Sequence, residues 1–205
     1  MPETKTKKPE VGRAGILNAA ASLFRQHGYG GVSLRAIAQA SGMKAGSIYY
    51  HFASKDAIVA AILDTGITAV HKEVQESVDA LQKGASAETV FRTVLSGHLR
   101  SLLEHGDYTS ANVRILGQVP ASVRDAGMPV RRAYEKYLDT VLTGLQDAGE
   151  IRADVNIARF RLMLIGALNA TLEWFDPDKG DIDALANDYA TVFLNGILTL
   201  TGDKT

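Results

Sequence analysis

Apolar residues recur every three or four positions along most of the chain, and no stretch shows the alternation or β-branched enrichment of a strand. The pattern predicts an all-α fold. Ile16, Ala20, Leu23 and Phe24 mark one face of a first helix that ends at His27-Gly28, where glycine suits a left-handed cap. After Tyr29-Gly30-Gly31, Ser33 is placed to cap a short second helix through Ala40. Ser41-Gly42 breaks that helix, and a third short one is expected over residues 44–51. Ser54 caps a fourth over residues 55–82, a rod of about 40 Å. Longer helices follow over 87–104, 110–118, 123–148, 155–175 and 182–200, divided by Gly- or Pro-bearing breaks, for about nine helices in all.

Two of these segments carry more than a helix assignment. Tyr134, Tyr137, Leu138, Val141, Leu142 and Leu145 keep i, i+3, i+4, i+7 spacing, leaving the opposite face to Arg132, Glu135, Asp139 and Asp147. Residues 162–170, in contrast, are apolar nearly all round and include Gly166, Ala167 and Ala170, so every side of that helix needs cover. One cover is the same helix of a second subunit, with Ile182, Leu185, Tyr189, Phe193 and Ile197 completing a four-helix seam. The other is an ordinary central position in the core.

Charge divides the chain. Residues 1–55 hold eight Lys/Arg against two acidic residues, whereas the remaining 150 hold 14 against 21, although the net charge of the whole is only −1. A basic module joined to an acidic one suggests that only the first faces a polyanion. Cysteine is absent, so neither disulfides nor cysteine-ligated zinc enter the argument. The polar opening residues do not resemble a secretory signal, and the most apolar stretch is far short of a membrane span, so a cytoplasmic protein with no membrane partner is expected.

Residues 34–52, LRAIAQASGMKAGSIYYHF, place small Ala38 where two helices could cross, Gly42 where a turn needs positive φ, and Ile37, Met43 and Ile48 inside. This is helix-turn-helix logic. The second helix opens with Lys44, Ala45, Gly46 and Ser47: a charge, two tiny side chains that allow close approach to bases, and a hydroxyl. Tyr49 and Tyr50 can reach phosphates or thymine methyls, and His51 and Lys55 extend the polar edge. For Tyr49, packing within the small domain is the competing reading.

From Val32 to Lys55 the chain resembles the tetracycline-repressor (TetR) family. The segment SLRAIAQASGMKAGSIYYHFASKDAIVAAIL repeats its hydroxyl N-cap, Ile-Ala pair, Gly turn, Gly-Ser-apolar-Tyr, His-Phe and Ser-Lys-acidic sequence. The resemblance implies a nine-helix homodimer joined through its last two helices, with third helices in successive major grooves of palindromic double-stranded operator DNA and a pocket for a small-molecule inducer. It implies phosphate contacts by Ser33 and Arg35, a recognition surface of Lys44, Ala45, Gly46, Ser47, Tyr49, Tyr50 and His51, and a backbone contact by Lys55. Lys44 departs from the pattern, because many members place a capping Ser or Thr there. The expected domains are a basic arm over 1–10, a DNA-binding helix-turn-helix over 11–54, and a ligand-binding and dimerisation domain over 55–205.

In the larger domain Leu95, Leu99, Leu102, Tyr134, Tyr137, Leu138, Met163 and Trp174 are candidates to line a ligand site, with His98, Arg114 and Asn169 to orient the ligand. Each also reads as ordinary core or surface. The ending Trp174-Phe175-Asp176-Pro177 resembles that of members regulating lipid or acyl-coenzyme A metabolism, which suits an apolar or amphipathic inducer. Arg131-Arg132 could attract an anionic headgroup, though paired arginines on a helix are usually solvated. No nucleophile elbow, phosphate loop or zinc-protease motif is present and the five histidines are scattered, so no enzyme, metal or cofactor is expected. A helical interaction module without specific DNA binding is the alternative, but it leaves the basic N-terminal module unexplained.

Overall fold

The computed structural model describes residues 8–104 and 107–197. Among them are nine α-helices and two 3-10 helices and no strands. In chain order they are α1 (Lys8–His27), α2 (Leu34–Ala40), the first 3-10 helix (Ala45–Tyr50), α3 (Lys55–Asp79), α4 (Ala87–Leu103), α5 (Asp107–Ile115), α6 (Ala121–Ala126), α7 (Met128–Asp147), α8 (Ile157–Ala170), the second 3-10 helix (Thr171–Glu173) and α9 (Ile182–Ile197). None of the described helices is long and apolar enough to cross a membrane.

Contacts divide the chain into two compact units. One comprises Met1–Ile67 with Gly106–Val130, the other Thr68–His105 with Arg131–Thr205. This differs from a boundary after Ser54. The first half of α3 belongs to the first unit because Ile58, Val59, Ile62 and Leu63 are buried in its core. Residues 107–130 return to it because Ala111, Ile115, Val119 and Val123 pack into that same core. α1 starts inside the segment expected as an arm, whose residues 1–7 lie outside the described ones.

In the first unit, α1 turns Ile16, Ala20 and Phe24 inward with no exposed surface, as its spacing requires. Ser33 caps α2, its Oγ accepting from the Ala36 amide at 3.1 Å. The end of α2 is a Schellman turn: the Met43 amide donates to the Ala38 carbonyl at 2.9 Å and the Gly42 amide to Gln39 at 3.2 Å. That turn needs the φ of +69° found at Gly42, a value costly for any residue with a Cβ. Ser54 then caps α3, accepting from the Ala57 amide at 3.1 Å.

The second unit is built on α4, whose Phe91, Leu95 and Leu99 meet Phe160, Leu164 and Leu168 of α8 and Ala186, Ala190 and Leu194 of α9 in one core. Phe160 stacks on Phe91 at 5.9 Å and meets Phe193 edge-on at 5.8 Å. Ser86 and Asn156 cap α4 and α8. The 162–170 segment is not centrally buried: Leu164 and Leu168 face the core, while Leu162 and Met163 are each 62 % exposed. α9 also departs from the expected seam, because Ile182 and Ile197 are buried in the unit's own core and Leu185, Tyr189 and Phe193 pack against it.

Candidate nucleic-acid interface and interior ligand site

The first 3-10 helix is anchored by Ile48, which is fully buried, and by Phe52 just beyond it, buried as well. With Ile48 held inside, its neighbours must face out: Tyr49 is 62 % and Tyr50 88 % exposed. Tyrosine is on average partly covered and is enriched at interfaces, so two adjacent exposed rings are a candidate contact surface. Lys44, Ala45 and Gly46 are exposed beside them, Ser47 is half-buried, and Ser33 and Arg35 are exposed at the start of α2. Lys44 precedes the helix in an extended conformation and gives its amides no side-chain cap. Arg35 and Lys44 enter no ion pair among the described residues, unlike Arg25, which holds Asp107 at 3.0 Å.

Two residues of the same motif are turned inward. His51 is half-buried against α1, where a Cβ on Gly12 would sit 3.1 Å from its ring. The Lys55 ammonium donates to the Tyr29 carbonyl at 2.5 Å and lies 3.9 Å from the centre of the Tyr29 ring. Burial holds its pKa below the usual lysine range. Tyr29 in turn donates its hydroxyl to Asp56 at 2.8 Å, a bond that raises the phenol pKa. Lys55 therefore fastens the start of α3 to the α1–α2 connection.

Inside the second unit a polar network crosses an apolar interior. His98 on α4 places Nδ1 2.9 Å from the Tyr134 hydroxyl of α7 and Nε2 3.3 Å from Asn169 Oδ1 of α8. A carbonyl oxygen can only accept, so Nε2 carries the proton and Nδ1 accepts from Tyr134. Burial pushes the His98 pKa down to about 4 and raises that of Tyr134, keeping both neutral. His71 of α3 packs on both tyrosines of α7, 5.5 Å from the Tyr134 ring and 5.2 Å from the Tyr137 ring. The Tyr137 hydroxyl is buried and has no hydrogen-bond partner among the described residues. A cavity of ≈ 10 Å³ in the same unit is lined by apolar residues alone, among them Val90, Phe91, Val94, Leu138, Val141 and Leu142, and none of the network residues borders it; it has room for one water at most.

Residues 16–62 match the family model of bacterial regulatory proteins, tetR family, and residues 84–197 match that of the tetracyclin repressor-like C-terminal domain. The second match alone covers more than half of the chain. The chain belongs to the TetR family of transcriptional regulators. It is 27 % identical over 197 residues to the fatty acid metabolism regulator protein of Bacillus subtilis, covering 94 % of this chain and 98 % of that one. The transcriptional regulator FadR from Bacillus subtilis, solved in complex with stearoyl-CoA, shares the fold with a TM-score of 0.74 at 24 % identity, over 90 % of this chain and 98 % of that one. AibR, solved with isovaleryl coenzyme A and operator DNA, shares it with a TM-score of 0.73 at 22 % identity, over 91 % and 98 %.

In this TetR-family chain, Ser33, Arg35, Lys44, Ala45, Gly46, Ser47, Tyr49 and Tyr50 lie within or just before the helix-turn-helix, all but half-buried Ser47 exposed. Of the candidate ligand residues, Leu95, His98, Leu99, Leu102, Tyr134 and Leu138 are buried together in the second unit, and Tyr137 and Asn169 are half-buried with them. Three depart from expectation. Arg114 is on α5 of the first unit, and Met163 and Trp174 are surface residues, 62 % and 60 % exposed. His71 was missed, although it lies with Ile67, Val70 and Val74 on the apolar face of α3, a signal that the pattern contained.

Proposed function

We propose that this regulator represses transcription by binding a palindromic operator as a homodimer, and that a small ligand held by its second unit releases it. The observation that carries the reading is the pair Tyr49 and Tyr50, left bare on a helix whose Ile48 is locked in the core. Exposed aromatic hydroxyls next to Lys44, Ala45, Gly46 and Ser47 match what a major groove offers: acceptors on guanine, thymine methyls, and phosphates on the rim. Ser33 and Arg35 contact phosphates, and His51 contributes its exposed edge.

Leu162 and Met163 on α8 and Val192 on α9, the last 73 % exposed, support self-association through the last two helices. An acyl-coenzyme A is the favoured class of inducer. Support comes from the fatty acid regulator's name and from stearoyl-CoA and isovaleryl coenzyme A in the two structures of the same fold. The His71, His98, Tyr134, Tyr137 and Asn169 group supplies the few polar contacts that an otherwise apolar site needs. Half-sites lie about one DNA turn apart, so a ligand that prefers a state with differently spaced recognition helices weakens DNA binding, and DNA weakens ligand binding reciprocally.

The test is binding of the full-length protein to a labelled fragment from beside its own coding region, at two salt concentrations, with Tyr50→Ala as control. Tight, salt-sensitive binding that survives competitor DNA and is lost in Tyr50→Ala is expected, as is release by stearoyl-CoA or isovaleryl-CoA. Binding that Tyr50→Ala leaves unchanged would overturn the assigned surface, and retention of DNA at saturating acyl-CoA would overturn the inducer class alone.

A further inference from the structure

Tyr29, in the connection between α1 and α2, is held at every polar atom. Its carbonyl and hydroxyl go to Lys55 and Asp56, at 2.5 Å and 2.8 Å, so the entry to the helix-turn-helix is fastened to the first turn of α3 beyond its exit. Its amide donates to Gln118 Oε1 at 2.9 Å. Gln118 stands apart from the other two, because it lies in the connection between α5 and α6. The Gln118 side-chain nitrogen donates to the Arg114 carbonyl at 2.9 Å, which fixes the amide's rotation and turns its oxygen toward Tyr29. The fit is close: Gly28 has φ +69°, and a Cβ there would come within 2.8 Å of Gln118 Oε1.

Residues 106–130 are the part of the first unit that is separate in sequence from 1–67, and at both ends the chain continues into the second unit. Other bonds of this segment reach helix bodies. Asp107 holds Arg25 of α1 at 3.0 Å, Tyr108 donates to Asn18 of α1 at 2.6 Å, and Asn112 donates to the Leu63 carbonyl of α3 at 2.7 Å. Gln118 instead reaches the turn that leads into the helix-turn-helix. Of the bonds named, that to Gln118 is the one by which this segment reaches the turn that carries the Tyr29 amide.

We propose that Gln118 is a positioning residue for DNA recognition: through the Tyr29 amide it sets the entry to the helix-turn-helix, and it is the point at which the 107–130 segment controls that motif. The inference rests on the DNA-binding reading above. Its test uses two full-length variants. Gln118→Leu keeps the size and removes both polar atoms, whereas Gln118→Glu keeps an acceptor for Tyr29. Hydrogen exchange at the Tyr29 amide, thermal stability, and affinity for a duplex selected by the wild-type protein from a random library are measured, with an unselected duplex as control.

For Gln118→Leu, exchange at Tyr29 accelerates and affinity for the selected duplex falls, each by about tenfold, with binding to the unselected duplex unchanged. Gln118→Glu keeps the acceptor for the Tyr29 amide but loses the donor to the Arg114 carbonyl, so it retains more of the specific affinity than Gln118→Leu without reaching the wild-type value. Wild-type affinity in Gln118→Leu despite fast exchange at Tyr29 would overturn the proposal, as would equal losses in both variants that track thermal stability. If the wild-type protein selects no duplex, the DNA-binding reading itself fails, while slow exchange at Tyr29 in the wild type would still show the bond formed.

Discussion

At the scale of single residues, exposure separates groups that hold the fold from groups that are open to a partner. Gly46 is exposed, and a Cβ placed there meets nothing within 4 Å. Gly46→Ala is therefore expected to leave thermal stability unchanged or raise it by up to about 1 kcal/mol, while specific DNA affinity falls about tenfold as the methyl meets the groove. Fluorescence anisotropy on a selected duplex decides it, and unchanged affinity would mean that the groove is not approached at this position. Tyr137 has the opposite signature to a core residue. Its buried hydroxyl lacks a partner among the described residues, an arrangement that costs about 1–3 kcal/mol. Tyr137→Phe should then raise the melting temperature by roughly 2–4 °C per kcal/mol recovered and weaken the response to acyl-CoA; destabilisation instead would assign the hydroxyl to the fold.

His98 makes stability depend on pH. Its folded pKa of about 4 lies below the ordinary 6.5, so on acidification the unfolded chain takes up the proton first. The linked stability is complete above about pH 6.5 and is lost as pH falls toward 4, by up to about 3 kcal/mol. The groups facing His98 are Tyr134, Asn169 and, across Tyr134, His71. The difference in melting temperature between wild type and His98→Gln should shrink from pH 7.5 to 4.5. Other titrating groups are common to both proteins, so a constant difference would show that His98 binds its proton equally in the folded and unfolded chains.

At the scale of elements, the turn between the two helices of the reading motif is the simplest to test. Gly42→Ala forces a Cβ into φ +69° at a Schellman turn and should cost about 1–2 kcal/mol, read as a lower melting temperature by circular dichroism. This turn was legible in the sequence because its cause is local: Ser33 before α2, and Ser41-Gly42 after it, specify both ends. The 3-10 character of residues 45–50 was not legible, since six residues are too few for spacing to separate a 3-10 from an α-helical turn. Nor was the break at Gly127, which divides an expected single helix into α6 and α7 while apolar residues continue on both sides. Lys55 reads as a surface lysine until Tyr29 supplies its carbonyl. The return of residues 107–130 to the first unit depends on Ile115, Val119 and Val123 meeting a core formed far away in sequence, which periodicity does not encode.

At the scale of the whole molecule, the exposed apolar residues of α8 and α9 are what the second unit leaves uncovered once its own core is complete. Leu164 and Leu168 satisfy that core, whereas Leu162, Met163 and Val192 face solvent in the single chain. Apolar side chains this exposed gain free energy by association, and a symmetric dimer covers them with the same residues of a second copy. The double variant Leu162→Asp, Met163→Asp is then expected to keep its helical content, because neither side chain supports the core, but to sediment as a monomer and to melt lower than the wild type by the association free energy it gives up. Its DNA binding should change in a particular way. A monomer docks one recognition helix instead of two and neutralises about half as many phosphates, so the slope of log affinity against log salt, about −0.9 per phosphate, should halve as specific affinity collapses. A variant that stays dimeric would move the seam elsewhere. A monomer with the full salt slope would mean that each chain reads its operator alone, and that two-fold symmetry of the site has no part in recognition.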